Sequence, residues 1–229
     1  MPGVLYAIPT PLGGAPVDAL PSSVLDTVRT LRQFIVEDAK SARAFLKSAG
    51  SDPKAVQILE LNEKSELRDL LKPLGEGSSI GLLSEAGSPA IADPGAALIE
   101  AAHAAGIRVV PLIGPSSIVL ALMASGLEGQ RFAFCGYLPR EPSARDRKIR
   151  ELESRSRRER ETQIFIETPY RNDVLLAALL QGLADKTSLC IATDLTLATE
   201  NIQTRSVSHW RGRRHAIGKR PTVFLLLSG

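Results

Sequence analysis

The chain has 229 residues, 44% of them hydrophobic and 23% charged, with a formal net charge of +3. That apolar share can fill one large or two small cores, and no apolar run approaches the ~20 residues that cross a bilayer. Isolated Cys135 and Cys190, with scattered His103, His209 and His215, give neither a disulfide framework nor metal-ligand spacing. Reduced thiols in a cytoplasmic protein with no metal and no membrane span are expected. The start, Met-Pro-Gly-Val-Leu-Tyr, lacks the basic and apolar stretches of a signal peptide.

Val4–Ile8 reads as a short strand ending in Pro9-Thr-Pro-Leu-Gly-Gly14. Pro21-Ser-Ser opens a helix whose apolar positions, Val24, Leu25, Val28 and Leu31, recur at helical spacing. Phe34-Ile-Val36 is a buried strand that delivers Glu37 and Asp38 at its end. A helix over 39–49 follows and stops at Gly50. A strand over 56–61 and a helix over 63–74 come next. The strand 80–84 then runs into Ser84-Glu-Ala-Gly-Ser-Pro-Ala-Ile-Ala-Asp-Pro-Gly95, which opens a small-residue helix, and a strand over 107–113 follows. Strands separated by helices of this length predict βαβ units and a largely parallel sheet.

Gly114-Pro-Ser-Ser117 starts a helix over 118–125, and a boundary falls there, dividing the chain into lobes 1–116 and 117–229. In the second lobe, 132–137 reads as a strand. Ser143-Ala-Arg-Asp146 is similar to a capping box and starts a basic helix reaching about residue 161. Strands 163–167 and 188–192 flank a helix over 173–183. Residues 196–210 and 222–227 read as strands. Charge is lopsided: residues 1–139 carry 11 Lys/Arg against 14 Asp/Glu, and residues 140–229 carry 17 against 11. Arg205, Arg211, Arg213, Arg214, Lys219 and Arg220 occur with no acid between them, and Trp210 among them could stack on a base. A solvated mixed-charge helix explains the other basic run equally well.

A strand that ends in a Gly/Pro/Ser/Asp loop and then a helix is where α/β proteins place ligands. No GxGxxG follows a strand and opens a helix, since Gly75-Glu-Gly77 precedes one, which argues against a Rossmann nucleotide site. Asp93, before Pro94 and a helix, serves equally as an N-cap or a ligand contact.

The segment 84–95 closely resembles the signature loop of the ribosomal RNA small-subunit methyltransferase I family, within the tetrapyrrole methylase superfamily. Ile-Pro-Thr-Pro-Leu-Gly-Gly (8–14), Val-Glu-Asp-Ala-Lys-Ser-Ala-Arg (36–43), Val-Val-Pro-Leu-Ile-Gly-Pro-Ser-Ser (109–117), Phe-Ala-Phe-Cys-Gly-Tyr-Leu-Pro-Arg (132–140) and Ile-Glu-Thr-Pro-Tyr-Arg (166–171) fall in the family's order. The resemblance implies a two-lobed α/β fold, with a mostly parallel sheet in the N-terminal lobe, a mixed sheet in the C-terminal lobe, and S-adenosylmethionine held where the lobes meet. Carried over residue by residue, it puts Pro11, Leu12, Ser84, Glu85, Ala86, Ile91, Asp93, Ser116 and Ser117 at the donor. It adds Tyr137 and Leu138, and, on a weaker match, Leu195, Thr196, Pro221 and Thr222. For Ser116 and Ser117 helix capping, and for Tyr137 a place in the core, are the competing readings.

The resemblance further implies 2′-O-ribose methylation of small-subunit ribosomal RNA, ribosomal RNA or the small subunit as partner, and a homodimer. A ribose hydroxyl benefits from a base, and the candidates are Glu37, Asp38 and Glu167, with Glu85 beside them. Glu167 with Arg171 reads equally as a structural ion pair. This chain departs from the family in Asp38-Ala39-Lys40, where Asp-Thr-Arg is usual, in Glu85 where Asp is usual, and in its shorter C-terminus, as in a shorter subgroup. The alternatives are a methylase of a tetrapyrrole or other small molecule, against which 4% aromatic residues argues, and a non-catalytic RNA-binding module.

Overall fold

The computed structural model describes residues 2–212 and 215–229, so Arg213 and Arg214 of the second basic segment lie outside the described residues. The chain divides into two compact units, Met1–Ser116 and Ser117–Gly229. The first unit runs β1 (Val4–Ile8), α1 (Pro16–Ala19), α2 (Ser22–Thr30), β2 (Gln33–Val36), α3 (Ala39–Ser48), β3 (Gln57–Glu60), α4 (Leu67–Gly75), β4 (Ile80–Leu83), α5 (Gly95–Ala104) and β5 (Arg108–Pro111). Its five strands lie in the order β3-β2-β4-β1-β5, every pair parallel. Each crossover carries at least one helix, as parallel pairing requires.

Side-chain alternation splits the core into two layers. Ile8, Phe34 and Val36 face α2 and α3, packed on Val24, Leu25, Val28 and Leu46. Leu5, Ile35, Ile80 and Leu82 face α4 and α5, packed on Leu70, Leu74, Leu98 and Ala102. Neighbouring β1 and β4 therefore send their following helices to opposite faces of the sheet. This is a topological switch point, where open α/β sheets place their ligands.

The second unit runs α6 (Ser117–Ser125), β6 (Phe132–Tyr137), α7 (Pro142–Glu159), β7 (Thr162–Ile166), a 3-10 turn (Pro169–Arg171), α8 (Asn172–Gly182), β8 (Ser188–Thr193), β9 (Asn201–Ser206), α9 (Val207–Arg211) and β10 (Thr222–Leu227). The strand order is β6-β7-β10-β8-β9, with β6 and β7 parallel and the remaining pairs antiparallel. The parallel sheet and the mixed sheet match the expected α/β class. One core gathers Phe165, Phe224, Ile149, Leu152, Leu176 and Leu179, and the Phe165 and Phe224 rings stack at 5.8 Å.

Three local readings are corrected. The α7 cap is Glu141, whose carboxylate accepts from Ser143 N at 3.0 Å and Ala144 N at 2.7 Å, so the helix starts one residue before the expected box. Pro142 at its first position favours that start. The expected strand 196–210 is only β9; Ser206 then caps α9 by accepting from His209 N. That turn carries Trp210 inward to 3% exposure, where its indole N–H donates to Leu189 O at 2.9 Å. Trp210 is thus a core residue and offers no face to a base.

Gly81 lies in the middle of β4, between β1 and β2. A Cβ built there would come within 2.7 Å of Ile8 Cδ1 and 2.8 Å of Phe34 Cδ1. Both neighbours are fully buried. Gly81→Ala is expected to lower unfolding free energy by about 1–3 kcal/mol in denaturant titration. An unchanged midpoint would show that the sheet yields there.

Candidate functional site

In the first unit the loops after β1, β2 and β4 converge at the switch point. Thr10 and Gly87 exchange backbone hydrogen bonds, Thr10 N to Gly87 O at 2.9 Å and Gly87 N to Thr10 O at 3.0 Å. Ser84 Oγ donates to Gly87 O at 2.7 Å, and Thr10 Oγ1 donates to Ser84 O at 3.3 Å. Ser88 Oγ donates to Pro115 O at 3.3 Å, which ties the loop to the segment after β5. Gly87 has φ +81°, and Ala90 and Ala92 both hold φ +64°. A left-handed alanine costs roughly 1–2 kcal/mol. Two of them within three residues mark a loop whose path is imposed by its surroundings.

That path sets the side chains. Glu37 at the end of β2, Ser84, Asp93 and Gly95 line one crevice with Leu61 and Leu82. Burial first, then the charges of Glu37 and Glu85, push the Asp93 carboxyl up to about 6. Glu37 is exposed as a residue, but partial desolvation of its carboxyl and then the Glu85 charge raise it as well. Asp93 Oδ2 is buried and meets no hydrogen-bond donor among the described residues while both carboxyls are ionised. A proton on Asp93, donated to Glu37, fills that gap, and it is the hydrogen bond through which each group shifts the other. The N-cap of α5 is Pro94 and makes no side-chain cap bond, so the capping reading of Asp93 does not hold. Asp38 is the cap instead. Its carboxylate accepts from Ser41 N at 2.7 Å, and that bond holds it below the usual carboxylate range.

Of the other residues singled out in this unit, Pro11, Leu12 and Ser116 are half-exposed, Glu85 and Ala86 exposed, and Ile91 48% exposed. They lie on the same loop set as the Thr10–Gly87 pair. Thr10, which the sequence reading passed over, is the residue that joins them. Its signal was its place between two prolines, Pro9 and Pro11, directly after a strand.

In the second unit the corresponding residues gather at one rim of the mixed sheet. Tyr137 pairs with Ile166, Ile166 with Val223, and Thr222 with Thr193, so the ends of β6, β7 and β8 and the start of β10 lie side by side. Gly136, at φ +64°, breaks the register and precedes Tyr137, which is 57% exposed. Leu138 and Leu195 are buried at 3% and 7%, so each can offer a ligand little beyond its backbone. Ser117 is the first residue of α6.

Arg220 stitches the rim. Its Nε donates to Asp194 Oδ2 at 2.6 Å and its Nη2 to Thr199 O, while Asp194 N donates to Pro221 O at 3.0 Å. Burial pushes the Asp194 carboxyl up, but the Arg220 and Thr199 hydrogen bonds outweigh it and leave it lowered. The segments holding Leu195 and Thr196 and holding Pro221 and Thr222 are thereby locked together. Glu167, 5% exposed, accepts from Thr168 N at 2.7 Å and lies 3.0 Å from Arg171 Nη2. That buried ion pair holds the 3-10 turn.

Residues 5–209 match the family described as Tetrapyrrole (Corrin/Porphyrin) Methylases. The chain is 35% identical over 200 residues to a Ribosomal RNA small subunit methyltransferase I of Vibrio cholerae, covering 87% of this chain and 67% of that protein. It is 34% identical to the protein of that name from Xylella fastidiosa, over 88% of this chain and 71% of the other. The relative from Escherichia coli O157:H7 is 32% identical, with 87% and 68% covered. Among solved structures, the methyltransferase CobJ superposes with a TM-score of 0.67 at 17% identity, covering 100% of this chain and 95% of that one. The uroporphyrin-III-C-methyltransferase of Thermus thermophilus gives 0.59 at 18% identity, with 100% and 93% covered. These two share the fold.

The Asp93 carboxyl keeps its proton to about pH 6 when folded, against an ordinary value of 3.8. The folded state therefore binds the extra proton in that window, and stability falls as pH rises through it. Asp93→Asn should remove this fall. The variant's melting temperature is expected to gain on wild type steadily from pH 4 to 6.5 in thermal unfolding. A constant offset would mean that Asp93 titrates normally.

Proposed function

Because the chain belongs to the tetrapyrrole methylase family, and within it to the ribosomal RNA small subunit methyltransferase I group, we propose that it methylates small-subunit ribosomal RNA at a ribose 2′-hydroxyl. It is a methyltransferase whose donor is S-adenosylmethionine. The acceptor class rests on one observation: likeness over 87% of the chain, at 35% identity, to a protein named for that RNA.

The residues present fit such a donor. The Glu85 carboxylate acts on Asp93 and suits a sulfonium cation, and Ser84 and Asp93 put polar groups in the adjoining crevice. Half-exposed Ile91, Pro11 and Leu12 add apolar surface for a ring. We assign donor contact in the first unit to Pro11, Leu12, Ser84, Glu85, Ala86, Ile91, Asp93 and Ser116. In the second unit we assign it to Ser117, Tyr137, Leu138, Leu195, Thr196, Pro221 and Thr222. When bound, the donor supplies a methyl group open to attack by an oxygen nucleophile.

This chain's own part is to hold the acceptor and take its proton. Glu37 is exposed, and its raised proton affinity makes it a stronger base than Asp38, whose carboxylate is spent on the α3 cap. Glu167 is buried against Arg171 and acts as a positioning group. Glu37 is therefore placed to take the proton of the acceptor hydroxyl, beside Asp93 in the same crevice.

The exposed side of α6 supports a homodimer. That side carries Val119 at 48% and Met123 at 75%, in a helix with no charged residue, which is apolar surface suited to a second copy. No helix among the described residues is long and apolar enough to cross a membrane, and we place the protein in the cytoplasm with its ribosomal acceptor.

Incubation with labelled donor should move label into small-subunit RNA, naked or in isolated subunits, and not into a porphyrinogen. Label in the porphyrinogen alone reverses the acceptor assignment. Glu37→Gln should cut turnover by about 10²-fold or more while donor affinity by calorimetry stays within a few-fold. Equal losses in both would move Glu37 from base to binding residue. Met123→Glu should convert a dimer to monomer in light scattering; a variant as dimeric as wild type places the interface elsewhere.

A further inference from the structure

One exposed aromatic residue lies close to the second unit's rim, and donor binding does not account for it. Tyr170 sits in the middle of the 3-10 turn Pro169–Arg171 and is 77% exposed. A lone exposed ring on a mobile loop needs no explanation. This ring is not on such a loop. Before it, Glu167 accepts the Thr168 N–H at 2.7 Å and grips Arg171 at 3.0 Å. After it, the fully buried Asn172 donates its Nδ2 to Arg220 O at 2.7 Å and Gly218 O at 3.2 Å. Asp173 accepts from Ile217 N at 2.7 Å. The turn carrying Tyr170 and the loop carrying Lys219 are thus bolted together from both sides.

The bolting sets Lys219 Nζ 4.8 Å from the centroid of the Tyr170 ring. With 77% of the tyrosine exposed, an ammonium over one face leaves much of the ring open to water. The acids around the rim are already engaged: Glu167 with Arg171, Asp194 with Arg220, and Glu200 with the Thr196 N–H. Among the described residues, Lys219 has no carboxylate within ion-pair distance. A fixed flat ring beside an uncompensated cation suits a nucleotide in a single strand, with base on ring and phosphate on ammonium.

Resting on the RNA reading given above, we infer that Tyr170 and Lys219 form a nucleobase platform that seats the acceptor strand at this rim. A base flanking the methylated nucleotide stacks on the open part of the Tyr170 ring, and its phosphate meets Lys219. Trp210, the aromatic that the sequence pointed to, is buried, and Tyr170 fills that role.

The test is RNA affinity against salt for wild type, Tyr170→Ala, Tyr170→Phe and Lys219→Gln. The probes are naked small-subunit RNA and isolated small subunits, with donor affinity measured in parallel. Tyr170→Ala should weaken RNA binding by about 5- to 100-fold. Tyr170→Phe should restore it, since stacking needs the ring and not the hydroxyl. Lys219→Gln should flatten the log–log salt dependence by about 0.7, the share of one single-strand phosphate. Donor affinity should not move in any of them. Tyr170→Ala binding RNA as tightly as wild type overturns the platform and leaves the RNA reading standing. Equal weakening in Tyr170→Ala and Tyr170→Phe also overturns it. Wild type that binds donor but neither RNA probe overturns the RNA reading and the platform with it.

Discussion

The pair of backbone hydrogen bonds between Thr10 and Gly87 fixes everything at the first unit's switch point. Parallel strands β1 and β4 deliver two loops side by side, but adjacency alone leaves the loop 84–94 free to wander. The reciprocal bond joins them as a two-residue ladder. Gly87 can take its φ of +81° without strain, and Ser84 Oγ adds a third anchor on the same carbonyl. From there the chain is forced through two left-handed alanines before α5 can start. That detour is what brings Asp93 back beside Glu37, at the end of a different strand.

In the second unit a side chain does the comparable work. Arg220 reaches across to Asp194 and the Thr199 carbonyl, and Asn172 holds the Arg220 and Gly218 carbonyls from the other direction. Three connections of unrelated sequence, 167–173, 194–200 and 217–222, become one rigid edge. Both Asp194 and Thr196 are left-handed there, at φ +51° and +71°, so this rim is also shaped by its bonds and not by local preference.

Much of the fold was legible because the apolar positions keep strict periods. Phe34-Ile-Val36, Ile80–Leu83 and Thr222–Leu227 are short apolar runs bounded by turn residues, and all three are central strands. The site loops were legible through Gly87, Pro94 and the carboxylates around them. What escaped the reading depends on contacts distant in sequence. Nothing local to Thr10 says that it will meet Gly87. Residues 207–211 have strand-like composition, and only the Ser206 cap and the burial of Trp210 make them helical. Asp93 looked like a cap because Asp-Pro often is one; the two left-handed alanines before it turn its side chain elsewhere.

The carboxyl pair has one more consequence. Below about pH 6 the two acids hold a proton between them and form a charge reservoir, since the pair can change its net charge by one unit without moving an atom of the backbone. A cation settling against it displaces that proton to solvent. In mildly acidic medium, where the reservoir is full, occupancy by a positively charged ligand is an exchange of one positive charge for another, and hydronium becomes its competitor.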